Sequence, residues 1–530
     1  MNKKYRKHVL ILCPLAKIRD KLTDKIPLLP FYYESNPDYS PFEKLEWKEE
    51  DIRSPEEYIQ QYRYVNTIYE ITIEILQKEL NEYHNENFKI EELDLTIGPW
   101  LRIYIESLYY RWLKLDFFLE LGVKEFFVTK KNKEYSRKIV STRNDFSKLT
   151  QTEDWNNIIF SDLVLYRLSR FSGVKINHFH SKNYPEISQN NTNINKKRSC
   201  YRDIYKKYLM RLIETSSRKI FPKNQFLINH HYIGFFNKIK LAWILKSIPA
   251  IYFTRDYETD LSISSASRKA FLQEHDAHDD FHGFVLNNLE NYFPTCYLEG
   301  WKKMKLDLIS LDLPNNPNFI FTGSGADTDE LIRLYIANKK QQGTKYIVSQ
   351  HGGVYGTRLI PTKSEYLEHR YSDKWISWGW SHKSNKKIIP GPNIKNINKK
   401  LFSFDYQENI LFVLPNIVFV PARIMPLEPF QRIDANKRII CQFNDYTKTN
   451  LIVRPHPNHR KKSYVKEIAG SCKISTEKTF YKDLMKSKLL VTTNNSTAFL
   501  ESMAMNCPSI LILLGAQSYL REESKEYYNI

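Results

Sequence analysis

Residues Leu451–Pro457 have the sequence LIVRPHP, in which a short apolar run enters a polar loop stiffened by two prolines. The same change occurs in Ile410–Asn416 (ILFVLPN), in Leu489–Glu501 (LLVTTNNSTAFLE) and, upstream, in Tyr346–Gly353 (YIVSQHGG). Short β-branched runs of this kind are typical of buried strands in a parallel sheet. In an open α/β sheet the ligand crevice lies beyond the carboxyl ends of the strands. These loops therefore predict an α/β protein with a ligand site at its strand ends.

With 530 residues the chain exceeds the usual size of one hydrophobic core, so we expect two domains. The basic, Pro/Gly-containing stretch at about Ile388–Asp405 is the best candidate for the linker. Residues 1–390 would form an N-terminal domain enlarged by helices, notably Glu56–Glu82 and Leu101–Leu119. Residues 405–530, where strands and helices alternate, would form the C-terminal domain. The predicted fold is two doubly wound, Rossmann-like domains that face a cleft.

Other segments are assigned from their composition. Further strands are predicted at His8–Cys13, Glu125–Lys130, Asn318–Gly323, Lys345–Ser349, Lys374–Trp378 and Ser509–Leu514. Tyr201–Leu311 is predicted to be mostly helical, and the polar stretch Lys182–Arg198 to be a loop or a local insertion. Doubly wound domains commonly end with further helices, so we expect a shortened C-terminus.

The sequence is strongly basic, with 79 basic and 60 acidic residues and a formal net charge of +19. Such an excess attracts nucleotides, nucleic acid or the acidic inner face of a bacterial membrane. The lysines are spread along the chain, and a lysine-rich proteome explains the excess equally well. The charge therefore supports an anionic ligand without choosing its class.

Cysteine spacing and hydropathy indicate the compartment. The six cysteines are widely spaced and include no C-x-x-C pair, which argues against zinc and disulfides and for a reducing cytoplasm. The apolar run His8–Cys13 is shorter than the core of a signal peptide, and no stretch approaches the roughly 20 apolar residues of a membrane span. We expect a cytoplasmic protein whose association with the inner membrane, if any, is peripheral.

The LIVRPHP segment carries the most specific chemistry. Arg454 leaves the predicted strand where a ligand would lie, and a guanidinium binds phosphate through two parallel hydrogen bonds. Pro455 and Pro457 restrict the backbone on both sides of His456, whose imidazole would donate to a diphosphate oxygen or stabilise a departing nucleotide. The alternative is a capped strand end with a surface histidine, although two prolines around one histidine are costly without a use.

Asn494–Glu501 (NNSTAFLE) predicts the beginning of a helix with Asn495 or Ser496 as its N-cap. The unpaired N–H groups and the positive dipole end of such a helix suit a phosphate, and the hydroxyls of Ser496 and Thr497 add donors. Glu501 lies on the same face, four residues after Thr497, and is placed to accept from ribose hydroxyls. An ordinary capped helix is the alternative.

Ser349–Arg358 (SQHGGVYGTR) is a glycine-rich loop that follows a predicted strand. Gly352 and Gly353 would let the backbone approach a ligand closely. His351, directly after the strand, is a candidate general base for an acceptor hydroxyl, and Arg358 would steady an anionic acceptor. The alternative is a glycine-rich turn with a structural histidine.

Other patterns carry less weight. Phe321–Gly325 (FTGSG) lacks the G-x-G-x-x-G pattern of a dinucleotide site. His275, His278 and His282 lie near three aspartates at a spacing that a helix would bring together around a metal, but we prefer an exposed charged helix face. P-loop, G-x-S-x-G and kinase patterns are absent from the sequence. We expect no metal and no cofactor.

These motifs resemble those of bacterial GT-B transferases that build surface polysaccharides. From Ile97–Leu101 (IGPWL) to Leu514, the chain resembles a transferase family associated with spirochaete O-antigen gene clusters. Its HG, RPHP and Ser/Thr-rich loops are similar to functional loops of CDP-glycerol glycerophosphotransferases and capsule Kdo transferases. Over a shorter span it is similar to sialyltransferases with His-Pro and Ser-Ser motifs.

The resemblance implies a role for each loop. His351 corresponds to the acceptor-side histidine, His456 with Arg454 to the donor-phosphate histidine, and Ser496 with Thr497 to the hydroxyl loop. It also implies a GT-B-like fold with an acceptor-side N-terminal and a donor-binding C-terminal domain. In such enzymes side chains and a helix dipole neutralise the leaving phosphate without a metal. Because NNST is not a Ser-Ser pair, a cytidine nucleotide (CMP or CDP) is favoured only weakly.

The predicted function is transfer of a sugar or polyol-phosphate from a nucleotide-activated donor to a surface-polysaccharide acceptor, O-antigen-like or capsule-like, which is a glycan or a lipid-linked glycan. A non-hydrolysing nucleotide-sugar epimerase shares this fold and its histidines but would need no acceptor. A non-catalytic polysaccharide-assembly or nucleic-acid-binding protein would use the basic surface. Neither alternative explains the three loops at strand ends as well, so no nucleic-acid partner is expected.

Overall fold

The computed structural model describes most of the chain. The described residues are 8–13, 25–31, 54–130, 140–169, 172–180, 226–230, 232–246, 249–258, 275–396, 407–425, 428–514 and 519–528, with a few single positions between 212 and 271. Within them the chain is an α/β protein built on three sheets, in all of which the strands are parallel. The predicted α/β class is thereby confirmed. The predicted loop or insertion at Lys182–Arg198 lies outside the described residues.

The first sheet has the strand order β2-β1-β3-β4. Its strands are β1 (His8–Leu12), β2 (Ile26–Leu28), β3 (Glu125–Lys130) and β4 (Lys175–His180). The strands predicted at His8–Cys13 and Glu125–Lys130 from their short apolar runs are confirmed as β1 and β3. The sequence KINHFH of β4 is too polar to show a strand, because this edge strand is paired only with β3 among the described residues.

The second sheet has the order β10-β9-β8-β7-β5-β6. Its strands are β5 (Leu227–Asn229), β6 (Ala250–Ile251), β7 (Phe319–Thr322), β8 (Lys345–Ser349), β9 (Lys374–Trp378) and β10 (Ile388–Gly391). The predictions for β7, β8 and β9 are confirmed. Within Tyr201–Leu311, which was predicted to be mostly helical, the prediction missed β5 and β6, because these strands are too short to show a period. The predicted linker at Ile388–Asp405 is wrong at its beginning, where β10 extends the sheet.

The third sheet has the order β13-β12-β11-β14-β15. Its strands are β11 (Asn409–Val413), β12 (Leu451–Arg454), β13 (Lys473–Ile474), β14 (Ser487–Thr492) and β15 (Ser509–Leu511). The predicted strands of the ILFVLPN, LIVRPHP and LLVTTNN segments are confirmed as β11, β12 and β14. Because β12 and β14 pair with opposite edges of β11, the loops after them leave the sheet roughly 10 Å apart.

Helices connect the strands and cover the sheets. Before β7 they are α1 (Pro55–His84), α2 (Ile90–Thr96), α3 (Gly98–Glu120), α4 (Arg143–Leu149), α5 (Glu153–Leu168), α6 (Phe235–Ile244), α7 (Asp280–Tyr292) and α8 (Trp301–Ser310). After β7 they are α9 (Gly325–Thr328), α10 (Glu330–Gln341), α11 (Lys363–Tyr371), α12 (Pro429–Gln442), α13 (Asp445–Asn450), α14 (Ser463–Ala469), α15 (Phe480–Leu484), α16 (Thr497–Ala504) and α17 (Glu522–Lys525).

The long helices α1 and α3 correspond to the helices predicted at Glu56–Glu82 and Leu101–Leu119, and together they form a helical layer. α1 begins where the Ser54 hydroxyl accepts from the Glu57 N–H at 3.1 Å and ends at Asn85, which has a positive φ. α3 is apolar on most sides and is buried along most of its length, as expected for a helix inside a core. One apolar cluster joins both helices to strands of the first two sheets, whereas the third sheet has clusters of its own.

The segment after β11 is fastened to α3. The Tyr110 hydroxyl contacts both carboxylate oxygens of Glu428, at 2.8 and 2.7 Å, and Lys114 approaches the same carboxylate at 3.7 Å. Arg111 donates to the carbonyl of Pro421 at 2.8 Å. All of these groups are buried, so the contacts hold residues 414–425 against the helical layer and thereby position Arg423.

Candidate functional site

The glycine-rich loop leaves the carboxyl end of β8 in a defined conformation. Gln350, which is buried, donates to the Gly352 carbonyl at 2.7 Å. Its side-chain oxygen accepts from the backbone N–H of Trp378 at 2.8 Å and from the indole of Trp380 at 2.9 Å. One amide thus ties the loop to the end of the neighbouring strand β9, which fixes the position of His351 between them.

His351 forms a dyad with Glu368 of α11. Its Nε2 lies 2.7 Å from the Glu368 Oε1 and 2.8 Å from the Tyr355 hydroxyl, and the Trp375 indole donates to the other Glu368 oxygen at 3.1 Å. Burial acts to lower the pKa of His351, but the Glu368 carboxylate outweighs it and the pKa is raised. Burial also raises the pKa of Glu368, against the lowering effect of His351.

This arrangement leaves the second ring nitrogen of His351 for chemistry. Because Nε2–H donates to Glu368, neutral His351 has its lone pair on Nδ1. Among the described residues no hydrogen bond to Nδ1 is present, and the side chain keeps 14% of its exposure. A carboxylate on one nitrogen strengthens the other as a base, so the predicted general-base chemistry is available at Nδ1.

The glycine-rich loop directly contacts the N-terminus of α16. The Gly353 N–H donates to the Thr497 hydroxyl at 3.0 Å. A Cβ added to Gly353 would lie 2.3 Å from the Thr497 backbone nitrogen, so only glycine allows this approach. The Asn495 amide donates to the Thr357 hydroxyl at 2.8 Å. Two of the predicted loops, from different sheets, are therefore brought together, and Gly353 approaches protein backbone where the sequence suggested a ligand.

Ser496 occupies the N-cap position of α16, as predicted. Its backbone is extended, but its hydroxyl makes no capping hydrogen bond. The neighbouring hydroxyl of Thr497 and amide of Asn495 are used by the glycine-rich loop. Of the three side chains predicted to bind phosphate at this helix, Ser496 is therefore the one with no hydrogen bond from its side chain to a described residue.

Glu501 is connected to the glycine-rich loop through the side chains of Lys395 and Tyr232. It is buried and forms an ion pair with Lys395, whose ammonium lies 5.5 Å from the centre of the Tyr232 ring. The Tyr232 hydroxyl in turn donates to the His351 carbonyl at 3.4 Å. Lys395 is thus positioned between Glu501, the predicted ribose ligand, and the loop of His351, the predicted base.

Arg454 is turned into the third sheet. It is 5% exposed, forms an ion pair with Asp483 and donates to the Glu477 carbonyl at 3.1 Å. The Ser475 hydroxyl also lies within reach of Arg454, at 3.3 Å. The guanidinium that the sequence predicted to bind phosphate therefore supports the base of the RPHP loop in this structure.

His456 differs from Arg454 in keeping an available nitrogen. Its ring is partly exposed, and Nδ1 accepts from the Asn458 N–H at 3.4 Å, which leaves the proton on Nε2. Burial lowers the pKa of His456, so the ring is neutral near pH 7. Among the described residues no hydrogen bond or ion pair connects His456 to the Gly353–Thr497 contact. The RPHP loop therefore presents a neutral N–H donor at the carboxyl end of β12.

Comparison with known proteins identifies the family. Residues 9–530 match the family described as LIC12162 family transferase. The chain belongs to this family. The match covers the glycine-rich, RPHP and NNST loops, and the protein is a transferase. No curated protein and no solved structure is significantly similar to it.

Several groups at the site of the transferase were not predicted from the sequence. Glu368 follows His351 by 17 positions, and only the packing of α11 against the end of β8 brings the two together. Lys395 lies in the segment that was interpreted as a linker. The sequence signal for Glu368 was only a glutamate in the helix after a histidine-containing loop, and the sequence holds many such glutamates.

The histidines of the transferase around α7 do not form the predicted helix face. α7 begins only at Asp280, so His275 and His278 precede it, and His282 is fully buried, with its Nε2 3.3 Å from the Thr72 hydroxyl. The interpretation as one exposed helix face is therefore wrong. In the part of the chain that the structure describes, no group of three or more His, Cys, Asp or Glu side chains is arranged to hold a metal. Likewise, none of its helices combines the length and apolar composition needed to cross a bilayer.

Proposed function

We propose that this transferase is of the GT-B type and moves a sugar, or a polyol-phosphate, from a nucleotide-activated donor to a surface-polysaccharide acceptor. The observation that carries the proposal is the His351–Glu368 dyad, whose histidine lies on the loop that contacts the N-terminus of α16 through Gly353. A base supported by a carboxylate serves an acceptor hydroxyl, and a helix N-terminus serves the leaving phosphate. CMP or CDP is the favoured nucleotide, on the likeness of the three loops to those of cytidine-dependent transferases.

The proposed reaction uses His351 as the base. The acceptor hydroxyl gives its proton to Nδ1, and its oxygen forms a bond to the transferred carbon, or to phosphorus for a polyol-phosphate. The bond between that atom and the donor phosphate oxygen breaks, and the nucleotide leaves with the electron pair. Glu368 stabilises the imidazolium that forms, because its carboxylate stays within 2.7 Å of Nε2.

The donor phosphates are proposed to lie between His456 and Ser496. Both keep hydrogen-bonding groups that no described residue uses, and their loops flank β11 at roughly 10 Å, which a diphosphate with its sugar spans. Arg454, Asn495 and Thr497 support this site by holding the two loops. Glu501 would accept from the ribose when it exchanges its partner Lys395 for the nucleotide.

The acceptor is proposed to be a glycan or lipid-linked glycan at the inner face of the cytoplasmic membrane. The support is α6, which combines apolar side chains of high exposure with lysines. Phe236 and Trp243 are 82% and 81% exposed, and Lys240 and Lys246 are exposed beside them. Aromatic rings with lysines bind an acidic lipid surface. Sedimentation with vesicles of acidic lipid should fall for Trp243→Ser, and equal sedimentation of the variant and the wild type with these vesicles would remove α6 from the proposal.

A nucleotide screen tests the donor assignment. Thermal stability is measured with CMP, CDP, UDP, GDP and dTDP for the wild type and for His456→Ala, with His178→Ala as control, because His178 is exposed on β4. A ligand at about 100 times its Kd adds about 2.7 kcal/mol of stability. Stabilisation by one nucleotide that is lost only in His456→Ala supports the donor site. A nucleotide that stabilises both variants equally would place donor binding elsewhere.

A further inference from the structure

A second polar pocket lies beside the proposed reaction centre. It lies between α1, α3, the end of the glycine-rich loop and the segment after β11, and its volume is about 410 Å³ when the space open to solvent is included. Tyr58, Arg102, Arg358, Lys363 and Arg423 are among the residues that line it. Neither His456 nor Ser496 lines this pocket, so it is separate from the proposed donor-phosphate site.

The cations of the pocket are not balanced by its anions. Arg102 is paired with Glu106 at 2.5 Å. Asp327 lies 4.0 Å from Lys363 but is closer to Arg143, at 3.0 Å. For Arg358 and Arg423, no hydrogen bond or ion pair to any described side chain is present. Among the described residues, these two guanidinium groups therefore share a partly buried pocket without an ion-paired carboxylate, and Glu365 acts on Arg358 only without direct contact.

The titration behaviour agrees with this crowding. Burial and the positive charge of Arg423 lower the pKa of Arg358 to about 10. Burial likewise lowers the pKa of Lys363 to about 8, although Asp327 opposes the effect. Like charges gathered in a low-dielectric pocket destabilise the ligand-free protein. A bound anion would remove this cost.

A helix end adds to the positive potential. Lys363 is the first residue of α11, and both it and the N-cap residue Thr362 line the pocket. The N-terminus of this nine-residue helix therefore faces the pocket with its positive dipole end. The same helix carries Glu368, so an anion at its N-terminus would lie on the element that supports the base.

We propose that this pocket binds a phosphate or diphosphate group of the acceptor, through Arg358, Arg423 and Lys363. The proposal rests on the proposed function. Two guanidinium groups and one ammonium exceed what a single carboxylate neutralises, whereas they match the charge of a phosphate monoester or a diphosphate. The acceptor is the assigned ligand because the pocket is lined by the helices before β7 and by the loop of His351. The acceptor is thus a phosphorylated glycan or a glycan diphosphate.

The test measures binding of inorganic pyrophosphate and of phosphate at low ionic strength by calorimetry. Arg423→Gln removes one unpaired guanidinium, and Arg438→Gln is the matched control, since Arg438 is exposed on α12 and paired with Asp434 at 2.7 Å. We expect wild type and control to bind pyrophosphate alike and Arg423→Gln to bind about 10-fold or more weakly. Equal affinity of Arg423→Gln and wild type would overturn the proposal.

Stability without ligand provides a second measurement. Because removal of Arg423 relieves repulsion on Arg358, the melting temperature of ligand-free Arg423→Gln should rise by about 1 °C or more. A purely structural arginine would give a fall instead, and a fall would overturn the proposal. Glucuronate, which carries a single carboxylate, should bind much more weakly than pyrophosphate. Binding as tight as that of pyrophosphate would overturn the assignment to phosphate.

The same experiments separate this inference from the proposed function. If CDP stabilises the wild type but not His456→Ala, and Arg423→Gln binds pyrophosphate as tightly as the wild type does, the pocket assignment fails and the donor site stands. If pyrophosphate depends on Arg423 while no nucleotide binds, the pocket stands and the donor assignment fails. If CDP binding is lost in Arg423→Gln and kept in His456→Ala, the pocket holds the donor, and its assignment to the acceptor is overturned. The phosphate could belong to a glycan diphosphate on a lipid or to a phosphorylated glycan. Binding of an undecaprenyl diphosphate in detergent is therefore compared with binding of a hexose 6-phosphate.

Discussion

His351 and His456 each lie two residues after a buried parallel strand, yet the surroundings of the two rings are opposite in kind. His351 is held by Glu368, contacts Tyr355 and belongs to a loop that touches another sheet. His456 is partly exposed and is hydrogen-bonded only to the backbone of its own turn among the described residues. The first environment raises the pKa of the imidazole and the second lowers it. The comparison shows that position after a strand predicts where a histidine lies, whereas its chemistry depends on what packs beside it.

The largest effect on turnover is expected for substitution of His351, the proposed base. His351→Gln should lower turnover by about 10²–10⁴-fold, because it removes the proton acceptor for the acceptor hydroxyl. The measurement is initial rate with saturating donor, and circular dichroism checks that the variant is folded. His178→Gln is the matched control. A His351→Gln enzyme with near-normal turnover would mean that the two histidines do not differ in the way described.

The second effect concerns the donor side. His456→Ala should lower turnover by about 10²–10³-fold, because the leaving phosphate loses a preorganised N–H donor. Since the ring is neutral, replacement by Gln, which also offers an N–H, should recover part of the activity. The rates of the Ala and Gln variants are compared at one pH near 7. Equal loss in both would show that His456 acts as a cation or a base, contrary to its environment.

The contact between sheets is expected to affect stability more than chemistry. Gly353→Ala places a Cβ 2.3 Å from the Thr497 nitrogen and should cost about 1–3 kcal/mol. Gly234→Ala is the control, because no atom lies within 4 Å of the Cβ it would add. Thermal unfolding should show a lower melting temperature for the first variant only. An unchanged melting temperature in Gly353→Ala would mean that the two loops are not in contact in solution.

The smallest effect is a shift of pH dependence. The rate of the wild type should fall as the pH drops through the pKa of His351, which Glu368 raises above the usual value near 6.5. Glu368→Gln removes the carboxylate, so the pKa falls and the acidic limb of the pH–rate profile moves to lower pH. Turnover at high pH should change less. A limb that stays in place would assign the titration to another group, and His456 would be the first to examine.

Strand positions were largely predictable, and side-chain partners were not. β8 and β9 coincide with their predicted bounds because apolar and β-branched residues follow one another there and a polar loop ends each run. β5 and β6 are short, and β4 has polar residues on both faces, so their sequences lacked a strand pattern. The helix at Thr497 was predicted from its cap residues, and α16 begins there.

The candidate site shows the limit more sharply. Arg454 and Asp483 lie 29 positions apart, and their ion pair depends on where α15 lies relative to the end of β12. The hydrogen bond between Gly353 and Thr497 joins residues 144 positions apart. Such contacts follow from the arrangement of sheets, which local patterns do not encode. For the same reason, the unpaired charges of Arg358 and Arg423 became visible only when their surroundings were known.

The hydrogen bond from Gly353 to Thr497 has a consequence for the order of events in a catalytic cycle. The backbone of Gly353 covers the first amide of α16, so a phosphate and this loop compete for the same helix end. A ligand that takes that amide would have to displace the Gly353 backbone from the helix end, and its release would let the contact form again. Nucleotide affinity at this helix would then include the work of breaking the contact between Gly353 and Thr497.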